Sequence, residues 1–188
     1  HTQVDDPGLG RYGIWAAGSD YKVSFHDGVC FYPLLGASAP RNLPVRWTTT
    51  SVRQGDTELI VAGDAPSHSH QQWRYEFRYP GIVERYDVRA EGVEQSFVID
   101  RPVGGAGDLV VTGRWQSELI PVRDGQSQSD VAAIRFLDAE GRDIVRYGEA
   151  VAFDASGRRV DVATRLQGDE IHLVVPQTWI RDAHWPIT

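Results

Sequence analysis

Glycine or proline interrupts this chain roughly every eight to twelve residues, and the segments between are rich in Val, Ile, Tyr, Phe, Trp and Thr. That is the pattern of short strands joined by turns, and it predicts an all-β, antiparallel β-sandwich built largely of meander hairpins. Strands are expected at 21–25, 29–35, 45–54, 58–63, 73–79, 82–90, 94–100, 108–115, 132–138, 144–154, 159–167 and 170–176. Only "PQTWIRDAHWP", near the C-terminus, offers a short helical turn. At 188 residues the chain suffices for one large domain, which buries roughly 70% of its unfolded surface without metals or disulfides.

The turns carry the strongest internal regularity. "DAEGR" (138–142) and "DASGR" (154–158) each place an Asp at the start of a type I turn and a Gly three residues on, where a left-handed conformation is needed. With "QGDE" (167–170) they predict three successive hairpins in an antiparallel meander. A calcium loop is not indicated, since ligands at alternate positions and a closing glutamate are missing from both turns. We assign residues 1–19 to an N-terminal arm or loop and 20–188 to a single sandwich domain, with the polar segment 63–72 as a weak boundary between two sub-sheets.

Composition excludes several classes of partner. The formal charge is −7, Lys22 is the only lysine, and the arginines are scattered singly, so no basic stripe for nucleic acid exists. No apolar run approaches the ~20 residues of a membrane span, and no signal peptide is present. The chain has no methionine, not even an initiator, which points to a piece of a longer protein. The single cysteine, Cys30 in "GVCFYPLL", reads as a small buried hydrophobe rather than a nucleophile.

Candidate chemistry is sparse. "GLGRYG" (8–13) matches a dinucleotide fingerprint in letters but lacks the preceding strand and following helix that make one, and His1 lacks the downstream pattern of copper enzymes that ligate through a terminal histidine. His68 and His70, an H-x-H pair, would share one face of a strand as some zinc sites require; the polar residues around them suggest a solvated loop. No cofactor is expected. Six tryptophans are many for this length, and a row of exposed aromatics on a sandwich can stack on sugar rings. Trp73, Tyr75 and Trp115 are the candidates for such a ligand site. The competing reading is that the tryptophans fill the core, and that the aromatic face of the strand bearing Trp73, Tyr75, Phe77 and Tyr79 is its buried one.

"ERYDVRAEGVEQSFVID" (84–100) raises the question of catalysis, because it holds five carboxylates. Alternation places Tyr86, Val88 and Ala90 on one face and Asp87, Arg89 and Glu91 on the other, with a turn at Gly92 and a return strand carrying Val93, Phe97 and Ile99 inward. On this reading the carboxylates are the solvated skin of a hairpin, where cross-strand ion pairs contribute only a few tenths to about 1 kcal/mol.

Together "YEFRYPGIVERYDVRAEGVEQSFVI", "FLDAEGR", "VAFDASGR" and "LVVPQTWIRDAHWPIT" resemble an N-terminal β-rich domain of large exported bacterial proteins of planctomycete and myxobacterial type. The resemblance spans residues 20–188, and the chain stops just before the acidic-proline tail that follows in that family. It implies a noncatalytic, secreted or cell-surface domain for assembly, spacing or adhesion, partnered by neighbouring domains or other surface proteins. It carries over no catalytic residue. Two alternatives stand beside it: a carbohydrate-binding module using exposed aromatics to hold polysaccharide, and a glycosidase using two carboxylates ~5 to 9 Å apart.

Overall fold

The computed structural model describes residues 2–6, 11–37, 41–124 and 130–188. His1 and the glycines at 8 and 10 lie outside the described residues. The turn chemistry delivers what it promises: strands, short and antiparallel throughout. They are β1 (Thr2–Asp6), β2 (Arg11–Ala17), β3 (Tyr21–His26), β4 (Gly28–Pro33), β5 (Val45–Gln54), β6 (Thr57–Ile60), β7 (Ser67–Gln71), β8 (Arg74–Tyr79) and β9 (Ile82–Val88). There follow β10 (Val93–Ile99), β11 (Leu109–Gln116), β12 (Ile120–Arg123), β13 (Ile134–Leu137), β14 (Asp143–Tyr147), β15 (Ala150–Phe153), β16 (Arg159–Gln167) and β17 (Glu170–Val175). One short helix, α1 (Gln177–Ile180), forms where a helical turn was expected.

Ten strands make the largest sheet, in the order β1-β2-β3-β4-β5-β11-β17-β16-β15, with β6 on β5. A second sheet runs β10-β9-β8-β7 and a third β12-β13-β14. The N-terminal segment is thus not an arm: β2 pairs with β3 from Ile14 opposite Phe25 to Ala17 opposite Lys22, because Ile14 and Ala16 find apolar partners there. No helix follows the "GLGRYG" glycines, since Arg11 already opens β2. β6 belongs to the first sheet and β7 to the second, and "SHSHQ" within the polar segment 63–72 is an edge strand rather than a loop.

Both Asp-Gly turns form as expected. Asp138 accepts from the amides of Glu140 and Arg142, Asp154 from those of Ser156 and Arg158, and Gly141 and Gly157 take positive φ of 78° and 82°. The three hairpins are all present, yet they do not build one meander. The segment 144–154, expected as a single strand, breaks at Gly148, so the "DAEGR" hairpin belongs to the third sheet and the other two to the first.

The side chains close over two apolar clusters. Val52, Ile60, Ile82, Ile134, Phe136 and Ile171 centre the larger, and Tyr21, Val23, Phe25, Tyr75, Phe77 and Tyr86 the smaller. In the smaller, Phe25 stacks on Tyr75 with ring centroids 4.5 Å apart, joining β3 of the first sheet to β8 of the second. Cys30 is buried, as its apolar flanks indicated.

Candidate functional site

Where the three sheets meet, strands of all three bring polar and aromatic groups together around a cleft of about 400 Å³. Its wall begins on β5 and β11, where Trp47 lies directly opposite Trp115. The register of this pair slips by one residue beside Thr112 and Gly113, leaving Thr50 as the extra residue on β5. The slip changes the parity of β5, so that Trp47 and Thr49 on one side of it and Val52 on the other all turn inward. Gly113 makes room: a Cβ there would stand 1.9 Å from the Trp47 ring. From the third sheet, Tyr147 stacks on Trp47 at 5.5 Å and an interplanar angle of 13°.

Behind Trp47, Tyr86, Gln95 and Tyr147 of the lining runs a buried hydrogen-bond network. Glu84 on β9 is 3% exposed, and its Oε1 accepts from the Thr49 hydroxyl at 2.8 Å, from Gln95 Nε2 at 3.0 Å and from the Tyr86 hydroxyl. Gln95 Nε2 also lies 2.9 Å from the Tyr86 oxygen, and Gln95 Oε1 accepts from the Tyr147 hydroxyl at 3.0 Å. Trp47 Nε1 in turn donates to Thr49 at 3.1 Å. The network therefore ties β5, β9, β10 and β14 together, one residue type completing the next. Burial pushes the Glu84 carboxyl above its usual range, although Tyr86, Thr49, Gln95 and Trp47 all favour the charged form. Burial first, and the neighbouring Glu84 second, push the Tyr86 and Tyr147 hydroxyls up as well, so both remain donors.

Glu84 corrects the sequence reading of the 84–100 stretch. Asp87 and Glu94 do sit on the outer side, paired with Arg74 and Arg89. Glu84 does not, and the signal was present: it shares its parity with Ile82, Tyr86 and Val88, all buried on the inner face of β9. Gln95 follows the same rule with Val93 and Phe97 on β10. Position in the pleat, not charge, sets which way these side chains face.

Of the other sequence candidates, Trp115 enters the cleft and two do not. Trp73 is 65% exposed at the turn before β8. Tyr75 is 3% exposed in the core between β3 and β8, with its hydroxyl pushed up to about 12 by burial, so it offers no surface to a ligand. His68 Nδ1 lies 2.8 Å from that hydroxyl, and burial, with His26 nearby, lowers its basicity. His70 is two residues further along the same edge strand. Among the described residues no group of three or more His, Cys, Asp or Glu is placed to hold a metal ion.

Among the described residues that line the cleft, one donor is unmet. Trp115 Nε1 is buried at its edge without a protein acceptor, while the ring stands edge-on to Phe136 at 5.3 Å. Arg146 and the carboxylates of Asp20 and Glu91 complete the rim. Fold and cleft together define an antiparallel all-β protein with an aromatic cleft backed by a buried polar network. Comparison with protein-family models, with curated proteins and with solved structures gave no match to this chain.

Proposed function

We propose that this is a noncatalytic interaction domain of a larger exported bacterial protein, serving assembly, spacing or adhesion at the cell surface. The observation that carries the reading is the use made of its buried carboxylates. Glu84 joins the sheets, Asp138 and Asp154 hold turns, and Glu76 binds Arg78 and Arg85 across β8 and β9. Each is engaged in the fold and none lines the cleft, whose carboxylates, Asp20 and Glu91, stand at its rim; a glycosidase needs a pair of carboxyl groups facing one substrate bond. The exported location is supported by the family resemblance of residues 20–188. No described helix is long and apolar enough to cross a membrane.

The cleft favours a second reading, carbohydrate binding. Tyr147 and Trp115 supply aromatic surface, and Arg146 supplies donors to hydroxyl oxygens. Tryptophan fluorescence during titration with soluble polysaccharides tests both readings. A saturable shift abolished in Trp115→Phe supports sugar binding; release of reducing ends from any of those polysaccharides would overturn the noncatalytic reading.

A further inference from the structure

Thr49 and Gln95 belong to different sheets, β5 of the first and β10 of the second, yet both touch one oxygen of Glu84. The Thr49 hydroxyl donates to Glu84 Oε1 at 2.8 Å, and the Gln95 amide nitrogen donates to the same oxygen at 3.0 Å. A carboxylate shared in this way stands between a nucleophile and the nitrogen of an amide. It can take a proton from the one and hand it to the other. Trp47 Nε1 donates to Thr49 Oγ1 at 3.1 Å, which leaves the Thr49 hydrogen directed at the carboxylate. On the other side of the amide, the Tyr147 hydroxyl donates to Gln95 Oε1 at 3.0 Å, where negative charge collects when an amide carbon is attacked.

Glu84 also differs from the other buried carboxylates. Among the described residues, Glu76 is paired with Arg78 and Arg85, Asp138 with Arg142 and Asp154 with Arg158. Glu84, 3% exposed, is bonded only to the neutral side chains of Thr49, Tyr86 and Gln95. A buried carboxylate held for stability alone is ordinarily matched by a cation. With none to hold it ionised, burial pushes this carboxyl above its usual range, toward the pH at which it both accepts and returns a proton.

We propose that Thr49 and Gln95 join in an ester bond across the two sheets, with Glu84 carrying the proton. Thr49 Oγ1 attacks Gln95 Cδ as its proton passes to Glu84; the new C–O bond forms and the carbonyl electron pair moves onto Oε1, beside the Tyr147 hydroxyl. As that pair returns, the Cδ–Nε2 bond breaks, Nε2 takes the proton from Glu84, and ammonia leaves through the cleft that Gln95 lines. One hydroxyl and one amide become one ester and one ammonia, and Glu84 ends as it began. The hydrogen bonds of the network hold these groups before the step. It happens once per chain and turns over no outside substrate. The bond closes residues 49 to 95 into a loop that contains β6 to β9, so a force parting the two sheets meets a covalent tie.

Intact mass tests this independently of any ligand, so the sugar reading and the ester reading fail separately. The folded chain, kept for days in neutral buffer, becomes lighter by one ammonia, and a peptide map joins the fragments carrying Thr49 and Gln95. Hydroxylamine, which cleaves esters and spares amides, parts them again. Thr49→Val, of the same shape without the hydroxyl, keeps the full sequence mass; Thr49→Ser, which retains the hydroxyl, loses ammonia as the unsubstituted chain does. Tyr147→Phe slows the loss by about a hundredfold. The proposal is overturned if the unsubstituted chain stays at its full mass, or if ammonia is lost equally from Thr49→Val. Conversion of Gln95 to glutamate without a cross-link would show that water is the acceptor and overturns the role of Thr49.

Discussion

The Tyr86 hydroxyl donates to the carboxylate of Glu84, two residues back on the same strand and the same inner face. Neither side chain can leave the interior without stranding the other, and Gln95 bonds to both. The arrangement makes one acid of a solvated-looking hairpin a sensor of its own burial.

Glu84 gives stability a pH dependence of known sign. Its folded pKa is raised, so the folded state holds the proton more tightly than the unfolded state does. The resulting stabilisation is fully present below the ordinary carboxylate pKa and is lost as pH rises through the folded value. Glu84→Gln removes that term. In melts from pH 4 to pH 8, Tm of the unsubstituted protein falls relative to Glu84→Gln as pH rises; parallel curves would show that burial does not outweigh the hydrogen bonds that favour the charged form.

Gln95 is the hinge of the network, since its amide bonds Glu84 and Tyr86 on one side and Tyr147 on the other. Gln95→Ala leaves buried groups without partners and costs about 1–3 kcal/mol in urea unfolding. A double-mutant cycle with Tyr147→Phe isolates a coupling of about 1 kcal/mol. A coupling near zero would mean that the two side chains do not meet.

Gly113→Ala acts by shape alone. Its added methyl points into the Trp47 ring, and the wall of the cleft has to move. Overpacking of this kind costs about 1–3 kcal/mol. The near-UV circular dichroism of the tryptophans changes with it, and an unchanged spectrum at unchanged stability would refute the contact.

Asp138 and Asp154 head equivalent turns, but only Asp154 reaches further, accepting from the His184 amide at 3.1 Å. Asp154→Asn therefore lowers Tm more than Asp138→Asn does. The Ser156 hydroxyl and the surrounding amides hold the Asp154 carboxyl far below its usual range. Its stabilisation is present above the ordinary aspartate pKa and disappears as pH falls toward the folded value. The difference between the two variants is accordingly larger at pH 7 than at pH 3, as thermal melts will show.

Much of the fold was legible because its signals are local. An Asp and a Gly three residues apart specify a turn wherever they stand, so 138–142 and 154–158 were placed correctly. Which sheet each hairpin joins was not legible, because that depends on the break at Gly148 and on contacts distant in sequence. Trp115 was singled out as an aromatic, but its partners Trp47, Gln95 and Tyr147 come from other strands, and no spacing relates them. Glu84 was readable from parity and was missed through its charge.

The extra residue at Thr50 has a last consequence. Its hydroxyl reaches the Thr112 carbonyl at 3.2 Å, yet what the cleft needs at this position is a count and not a chemistry. Any residue that tolerates the irregular backbone keeps the frame. One residue fewer reverses the facing of everything before it, and Trp47 and Thr49 turn to water with every neighbour's identity unchanged.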